Sequence, residues 1–445
     1  MASHLKIVVV GGGSVHWMPR IGRDLLLTPA LSGSEIVLFD INRQASDLTR
    51  AFLEKLARQL HVQTTFVSTD NRREALNSAD YVIITITTGG FDAMGLDLAI
   101  PESYSIYHTV GDTAGPGGWA RLIRNFDAFV ALAQDINQCA PKALVLNYTN
   151  PMTALTDVLS RLCEGRVIGL CHGLFENLHY IRDWYGMPSE QDVTLQYAGL
   201  NHFFWVAQAR AGDIDVIADL RKRIQSESLS DLMARTYPGQ PQGALKLDVA
   251  TEVFRLAGVL PYLGDRHICE FFPSYITSQA GLTDYRLVRT TIGERYAAAV
   301  QMRRQLADML TGEISVEYTV RTREAAADII EAHSQGRVFI DVGNVPNIGQ
   351  VSNLPRGLVV ETAVRVDRNG FTPLAFGDLP PVVKGFVDPY ATLFPMVVDA
   401  CFRHDRKLAL QALRLDPVCS HLNSKRVVEL GETLLAAHRQ YISVF

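Results

Sequence analysis

A glycine run stands directly behind the first apolar segment of the chain. Lys6–Val10 reads KIVVV, and Gly11, Gly12, Gly13 and Ser14 follow it and open a helical stretch. Glycines in that place permit a tight turn and let backbone N–H groups approach a pyrophosphate at a helix N-terminus. Asp40 ends the second apolar run, residues 35–40, where a carboxylate can accept hydrogen bonds from an adenosine ribose. His16 stands where the third glycine or alanine of a G-x-G-x-x-G fingerprint belongs. Strand, turn, helix, second strand and terminal acid nevertheless come in the right order, so a dinucleotide is expected on Gly11, Gly12, Gly13, Ser14 and Asp40. The Asp40 carboxylate repels a 2′-phosphate and favours NAD over NADP, with nearby Arg43 working against that preference.

Four later segments carry side chains suited to binding or proton transfer. Gly111-Asp112-Thr113-Ala114-Gly115-Pro116-Gly117-Gly118 is a glycine-rich loop behind the fourth apolar run. Asn147-Tyr148-Thr149-Asn150-Pro151-Met152 lies at the carboxyl end of the fifth, and Cys171-His172-Gly173 at that of the sixth. Gly199-Leu200-Asn201-His202 opens the second half. Ligands of open α/β sheets bind beyond the carboxyl ends of the strands, so these strand ends bring polar groups to one crevice. Each segment alone has an ordinary alternative. Asn147 or Asn150 can cap a turn or helix, and Asp112 can serve local loop hydrogen bonds. Cys171 can be a buried thiol and His202 a satisfied core imidazole.

The elements that must hold these groups alternate along the chain. Residues 6–10, 35–40, 62–67, 81–87, 143–147 and 166–170 are runs of strand length, and helical patterns such as Arg43–Gln59 and 119–136 separate them. That alternation predicts a parallel sheet covered on both faces. Six strands fit a Rossmann-like doubly wound α/β fold. Past residue 173 the rhythm changes to strand material over 193–211, an extended helical stretch within 277–311, strand-like runs over 338–376 and a mostly helical tail over 387–441. The expected organisation is an NAD-binding domain over 1–173 and an α+β domain over 174–445 for substrate and subunit contacts. No linker separates them, so the boundary is soft and the shared interface large.

Composition narrows the class. Hydrophobic residues at 47% and charged residues at 20% describe a globular chain of 445 residues and not a disordered one. With 42 basic and 47 acidic residues there is no bulk basic field for nucleic acid. No apolar run is long enough for a bilayer, and the start of the chain lacks the basic and apolar regions of a signal peptide. Six widely spaced cysteines suit a reducing cytoplasm better than a disulfide scaffold.

Taken together, GGGS at 11–14, GDTAGPGG at 111–118, NYTNP at 147–151, CHG at 171–173, GLNH at 199–202 and DRHICEFFP at 265–273 resemble glycoside hydrolase family 4, the NAD- and divalent-metal-dependent glycosidases. The resemblance implies a lactate/malate dehydrogenase-like fold. It implies a metal on Cys171 and His202, with open positions for substrate hydroxyls and water. Mn²⁺ is the implied ion, and a soft thiolate ligand leaves room for Co²⁺, Ni²⁺ or Fe²⁺. It further implies that NAD⁺ takes hydride from C3 of the sugar and that the ketone acidifies the C2 proton. The metal, on the C2 and C3 oxygens, stabilises the enediolate. A base removes the C2 proton, the C1 group leaves, water adds and the hydride returns, in place of the usual two-carboxylate route. The base of relatives falls in PYLGDRH, which makes Asp265 the candidate and Tyr262 the second. His172 is the expected acid, with Asp112 as the alternative. Asn150, His202 and Arg266 are the expected substrate contacts.

Members acting on 6-phosphorylated sugars show Asn or Asp after the metal cysteine. Cys171-His172-Gly173-Leu174 instead resembles the enzymes for unphosphorylated α-glycosides, with α-glucoside or α-glucuronide ahead of α-galacturonide and α-galactoside. A uronate needs a cation, for which Arg266, Arg286 and His267 are available. A homodimer or homotetramer is implied. The competing reading is an NAD-dependent 2-hydroxyacid dehydrogenase of malate or lactate type, and a nucleotide-binding sensor without catalysis is the third.

Overall fold

In KIVVV every side chain is apolar or long-stemmed, and a strand alternates its side chains between two faces. Such a run is stable only where both faces of its sheet are covered. The computed structural model, which describes residues 4–239, 246–316 and 318–445, shows that arrangement. Val8 and Val10 enter one core with Phe126 and Phe129 of the helix Gly115–Cys139. Ile7 and Val9 enter the other with Phe52 of the helix Arg43–Gln59 and Ile330 of the helix Ala326–Gln335.

The strands are β1 Lys6–Val10, β2 Glu35–Phe39, β3 Thr65–Thr69, β4 Tyr81–Ile84, β5 Leu144–Asn147, β6 Val167–Gly169, β7 Val193–Leu200, β8 Phe203–Ala211, β9 Ile214–Asp215, β10 Leu260–Pro261, β11 Phe339–Pro346, β12 Val359–Asp367 and β13 Gly370–Pro373. They form one sheet in the order β10-β8-β7-β12-β11-β6-β5-β4-β1-β2-β3, with β13 on β12 and β9 on β8. From β3 to β6 the pairs are parallel, in the doubly wound order. From β6 onward the added pairs are antiparallel.

The expected boundary at residue 173 therefore falls inside a continuous sheet. β11 pairs with β6 at Asn344 and Gly169, which covers an edge that residues 1–173 alone would leave open. The helices Ile292–Thr311 and Ala326–Gln335 return to pack on Arg43–Gln59 and Met18–Leu26 of the first half. Smaller departures are local. β3 begins three residues later than the 62–67 pattern, and the run 81–87 leaves the strand after Ile84. The stretch 277–311 divides into Gln279–Asp284 and Ile292–Thr311. Among the described residues no helix is long and apolar enough to cross a membrane.

Candidate active site

Residues beyond the carboxyl ends of β1, β5 and β6 line a cleft of about 390 Å³, and the β7–β8 turn with the segment 262–267 closes it. After β1 the cleft is lined by His16 and Trp17, and the glycine turn stands just before them in the chain. Gly11 takes φ +95°, and the N–H groups of Gly11 and Gly12 both donate to the Phe39 carbonyl at 2.9 Å. A Cβ on Gly12 would stand 2.7 Å from Leu38 Cα, so the turn lies against β2 only because it has none. Asp40 accepts from Gly13 N–H and from Asn42 N–H, each at 2.9 Å. The carboxylate thus shapes the turn as well as ending the strand. His16 is exposed at the cleft, and the first helix starts only at Met18, which leaves room for an imidazole where a glycine was expected.

At the centre, Asp112, His202 and His267 each bring one ligand atom to within 4.8 Å of the others. The two imidazole rings lie 3.9 Å apart, centre to centre. His202 sits in the two-residue turn between β7 and β8 at φ +60°, a conformation that costs a non-glycine residue free energy and survives where surroundings enforce it. The Thr113 hydroxyl lies 2.7 Å from Asp112 Oδ1 and 2.9 Å from His202 Nδ1. A carboxylate only accepts, so Thr113 donates to Asp112 and must accept from His202 Nδ1–H. That leaves His202 Nε2 with its lone pair, the state a metal ligand requires. Burial opposes charge on Asp112, but His267, His202 and Arg121 outweigh it and hold the carboxyl well below the usual range. An acid held so low is a poor proton donor, which tells against its expected alternative role as the acid.

The loop that carries Asp112 is pinned by Glu270, a role the sequence reading did not assign. Glu270 Oε1 accepts the N–H groups of Thr109, Val110 and Gly111, each at 2.8 Å. It also lies 3.2 Å from His108 Nδ1, while His108 Nε2 accepts from Gly117 N–H at 3.1 Å. His108 is therefore neutral with its proton on Nδ1. Gly115, at φ +67°, leaves space for that ring, since a Cβ there would stand 2.5 Å from His108 Cε1. The same turn, Asp265–Ile268 and its continuation Cys269–Phe271, delivers His267 and Glu270 three residues apart.

Cys171 lines the cleft half-buried, and its Sγ accepts from Gly173 N–H at 3.4 Å. Burial and then the Glu361 carboxylate push this thiol up. Behind it Glu361 Oε2 accepts from Asn201 Nδ2 and Asn344 Nδ2, each at 2.9 Å, and burial pushes Glu361 up to about 7. Asn201 follows from the GLNH motif, whereas Glu361 and Asn344 lie in strands with no motif to mark them. Asn150 donates to Asp112 Oδ2 at 3.1 Å, so its amide serves the carboxylate directly. His172 occupies the N-cap position of the helix Gly173–Trp184 without a side-chain capping bond, exposed and 4.0 Å from Glu324, with burial pulling its imidazole pKa down.

Asp265 also borders the cleft, but its two oxygens accept Val249 N–H at 2.8 Å and Ala250 N–H at 2.9 Å, at the start of the helix Asp248–Ala257. Burial pushes this carboxyl up to about 7 despite those donors. Tyr262 lines the same wall with its hydroxyl on Glu176, and burial raises the phenol far up. Arg286 is held bidentately by Asp248, with Nε 2.7 Å from Oδ2. Arg266 donates to the Thr290 hydroxyl, and neither it nor Arg295 has a carboxylate partner among the described residues, though both line the cleft.

Comparison with known proteins agrees with this architecture. Residues 6–185 match the family described as Family 4 glycosyl hydrolase, and residues 197–419 match its C-terminal domain. An α-galacturonidase of Bacillus subtilis is 30% identical over 423 residues, 93% of each chain. An α-glucosidase of Erwinia rhapontici is 26% identical over 471 residues, 98% of this chain and 99% of that one. The solved structure of lplD from Bacillus subtilis superposes with a TM-score of 0.84 at 28% identity, over 97% of this chain and 100% of that one. A 6-phospho-α-glucosidase from gut microorganisms, solved with NAD and Mn²⁺, has a TM-score of 0.82 at 20% identity, over 99% of both chains. A malate dehydrogenase of Cryptosporidium parvum reaches 0.54 at 13% identity, over 89% of this chain and 98% of that one, which is likeness of fold alone.

Proposed function

We propose, from the premise that this chain belongs to family 4 of the glycosyl hydrolases, that it hydrolyses unphosphorylated α-glycosides and that its sugar is an α-galacturonide, with an α-glucoside as the second reading. The observation that carries this is the meeting of the Asp112–His202–His267 cluster and Cys171 along one cleft, whose lining residues His16 and Trp17 follow closely on the glycine turn in the chain. The uronide is supported by the α-galacturonidase relative and by Arg266 and Arg295, two cleft guanidinium groups without a carboxylate partner among the described residues. Arg286, neutralised by Asp248, is the weaker candidate.

The residues fit the two groups that the family implies. The close turn at Gly12 and the carboxylate of Asp40 suit a dinucleotide, and NAD, when bound, supplies reversible oxidation of the sugar. The free nitrogen of His202 and the buried, unpartnered Nδ1 of His267 suit a divalent cation, with Cys171 as its thiolate neighbour. Mn²⁺, Co²⁺, Ni²⁺ or Fe²⁺ there supplies Lewis acidity toward sugar oxygens. Two backbone N–H groups fix Asp265 at the cleft wall, and its remaining lone pairs take the C2 proton. Tyr262 is the alternative base. His172, which lines the cleft 4.0 Å from Glu324, is the residue that passes a proton to the leaving oxygen, and because burial pulls its pKa down this step is favoured as the pH falls. Asn150 orients Asp112, and Arg266 meets the sugar.

Assembly as a homodimer or homotetramer is supported by the helix Ile292–Thr311, which buries only Leu306 and exposes Tyr296 and Val300. Six free thiols support a cytoplasmic setting.

The test is a panel of p-nitrophenyl glycosides with NAD⁺, Mn²⁺ and a thiol reductant. Release from the α-galacturonide, without net NADH, is expected, and Asp265→Asn should lose about 10²-fold or more in kcat. Turnover confined to 6-phosphoglucosides, or net NADH from malate or lactate, would overturn the reading. Full activity of Asp265→Asn would move the base to Tyr262.

A further inference from the structure

We propose that His267 is a second imidazole ligand of the divalent cation, sharing its seat with His202 and with the Asp112 carboxylate, so that the site offers two nitrogens and one oxygen beside the Cys171 sulfur. This rests on the reading of the cleft as a metal-dependent glycosidase site and deepens it. Neither the sequence motifs nor the family resemblance assigned His267 to a metal.

Three observations carry it. Ligand atoms of Asp112, His202 and His267 close to within 4.8 Å of one another, whereas Cys171 is not part of that closed set. His267 Nδ1 is buried and has no hydrogen-bond partner, although it points within 3.9 Å of Asp112 Oδ1. A buried ring nitrogen left unpaired costs free energy that a bound cation would recover. The Asp112–Thr113–His202 chain then fixes the neighbouring imidazole in its ligating tautomer.

Ligand chemistry favours the same set. A thiolate and one imidazole are a poor match for Mn²⁺, which prefers carboxylate and water oxygens. Adding a carboxylate and a second imidazole from one compact cluster gives that ion harder donors. Positions for sugar hydroxyls remain, because protein ligands occupy only part of the coordination sphere.

The test is Mn²⁺ binding by the full-length protein without sugar. Pulsed electron paramagnetic resonance on the native protein with Mn²⁺ should show nitrogen couplings from two imidazoles, and His267→Gln should leave one. Calorimetric titration should place the Mn²⁺ Kd of His267→Gln at least about tenfold above the native value, the usual scale for losing a metal-supporting group. A single imidazole coupling in the native protein, unchanged in His267→Gln, would overturn the proposal while leaving the glycosidase reading in place. No Mn²⁺ binding by the native protein would overturn both. If His267→Gln does not fold, the native coupling pattern still decides the matter.

Discussion

At the residue scale, the site depends on side chains whose chemistry is set by one or two partners. Asp112 was visible in a glycine-rich loop, but its charge depends on His267, His202 and Arg121, and its orientation on Asn150. Asp265 was visible as a candidate base, but not as a carboxylate anchored to the start of another helix. Glu324 is 5% exposed, and burial pushes its carboxyl from 4.5 up to about 7. The folded state therefore holds this proton more tightly than the unfolded chain does. Between about pH 4.5 and 7 the folded state carries the extra proton, so this group's contribution to stability falls as pH rises through that window. The shift sets the scale at ~3 kcal/mol. Glu324→Gln should gain in Tm relative to the native protein between about pH 5 and 7.5. A Tm difference that stays constant across that range would show that Glu324 does not titrate in this way.

At the element scale, strands and turns deliver the groups, and one carboxylate joins two of the delivering segments. The strand ends at β1, β5 and β6 were legible, since apolar runs and glycine turns are local signals. The pinning of residues 109–111 by Glu270 was not, because donor and acceptor lie 161, 160 and 159 residues apart. Removing this acceptor leaves three buried N–H groups unsatisfied, at about 1–3 kcal/mol for each. Glu270→Ala should lower thermal stability by several degrees and slow turnover by displacing Asp112, and Glu270→Gln should restore most of the stability. Melting temperatures and kcat for the two variants test this. Equal losses from both substitutions would mean that charge, not acceptor geometry, holds the loop.

At the scale of the whole molecule, the sheet makes the two halves interdependent. Residues 1–173 alone would expose the β6 edge that β11 covers, and the apolar face that Ile329 and Ile330 cover. That fragment should show no cooperative melting transition by circular dichroism, whereas the full chain should. A fragment that melts sharply would show that residues 1–173 fold as a unit of their own. The composition and the alternation of elements made the Rossmann half legible. The antiparallel extension was legible only as strand-like material, because its pairing with β6 joins residues 175 positions apart.

The sequence by itself determined the glycine turn behind β1, the doubly wound fold class and the family, because each rests on residues near one another or on motifs whose residue types are constrained. The tertiary structure alone decided which histidine faces Asp112, which nitrogen of His202 is free, what anchors Asp265 and that one sheet continues past residue 173. Those are matters of distance between remote segments, and hydrogen bonding and burial act over a few ångströms of space however far apart the residues lie along the chain.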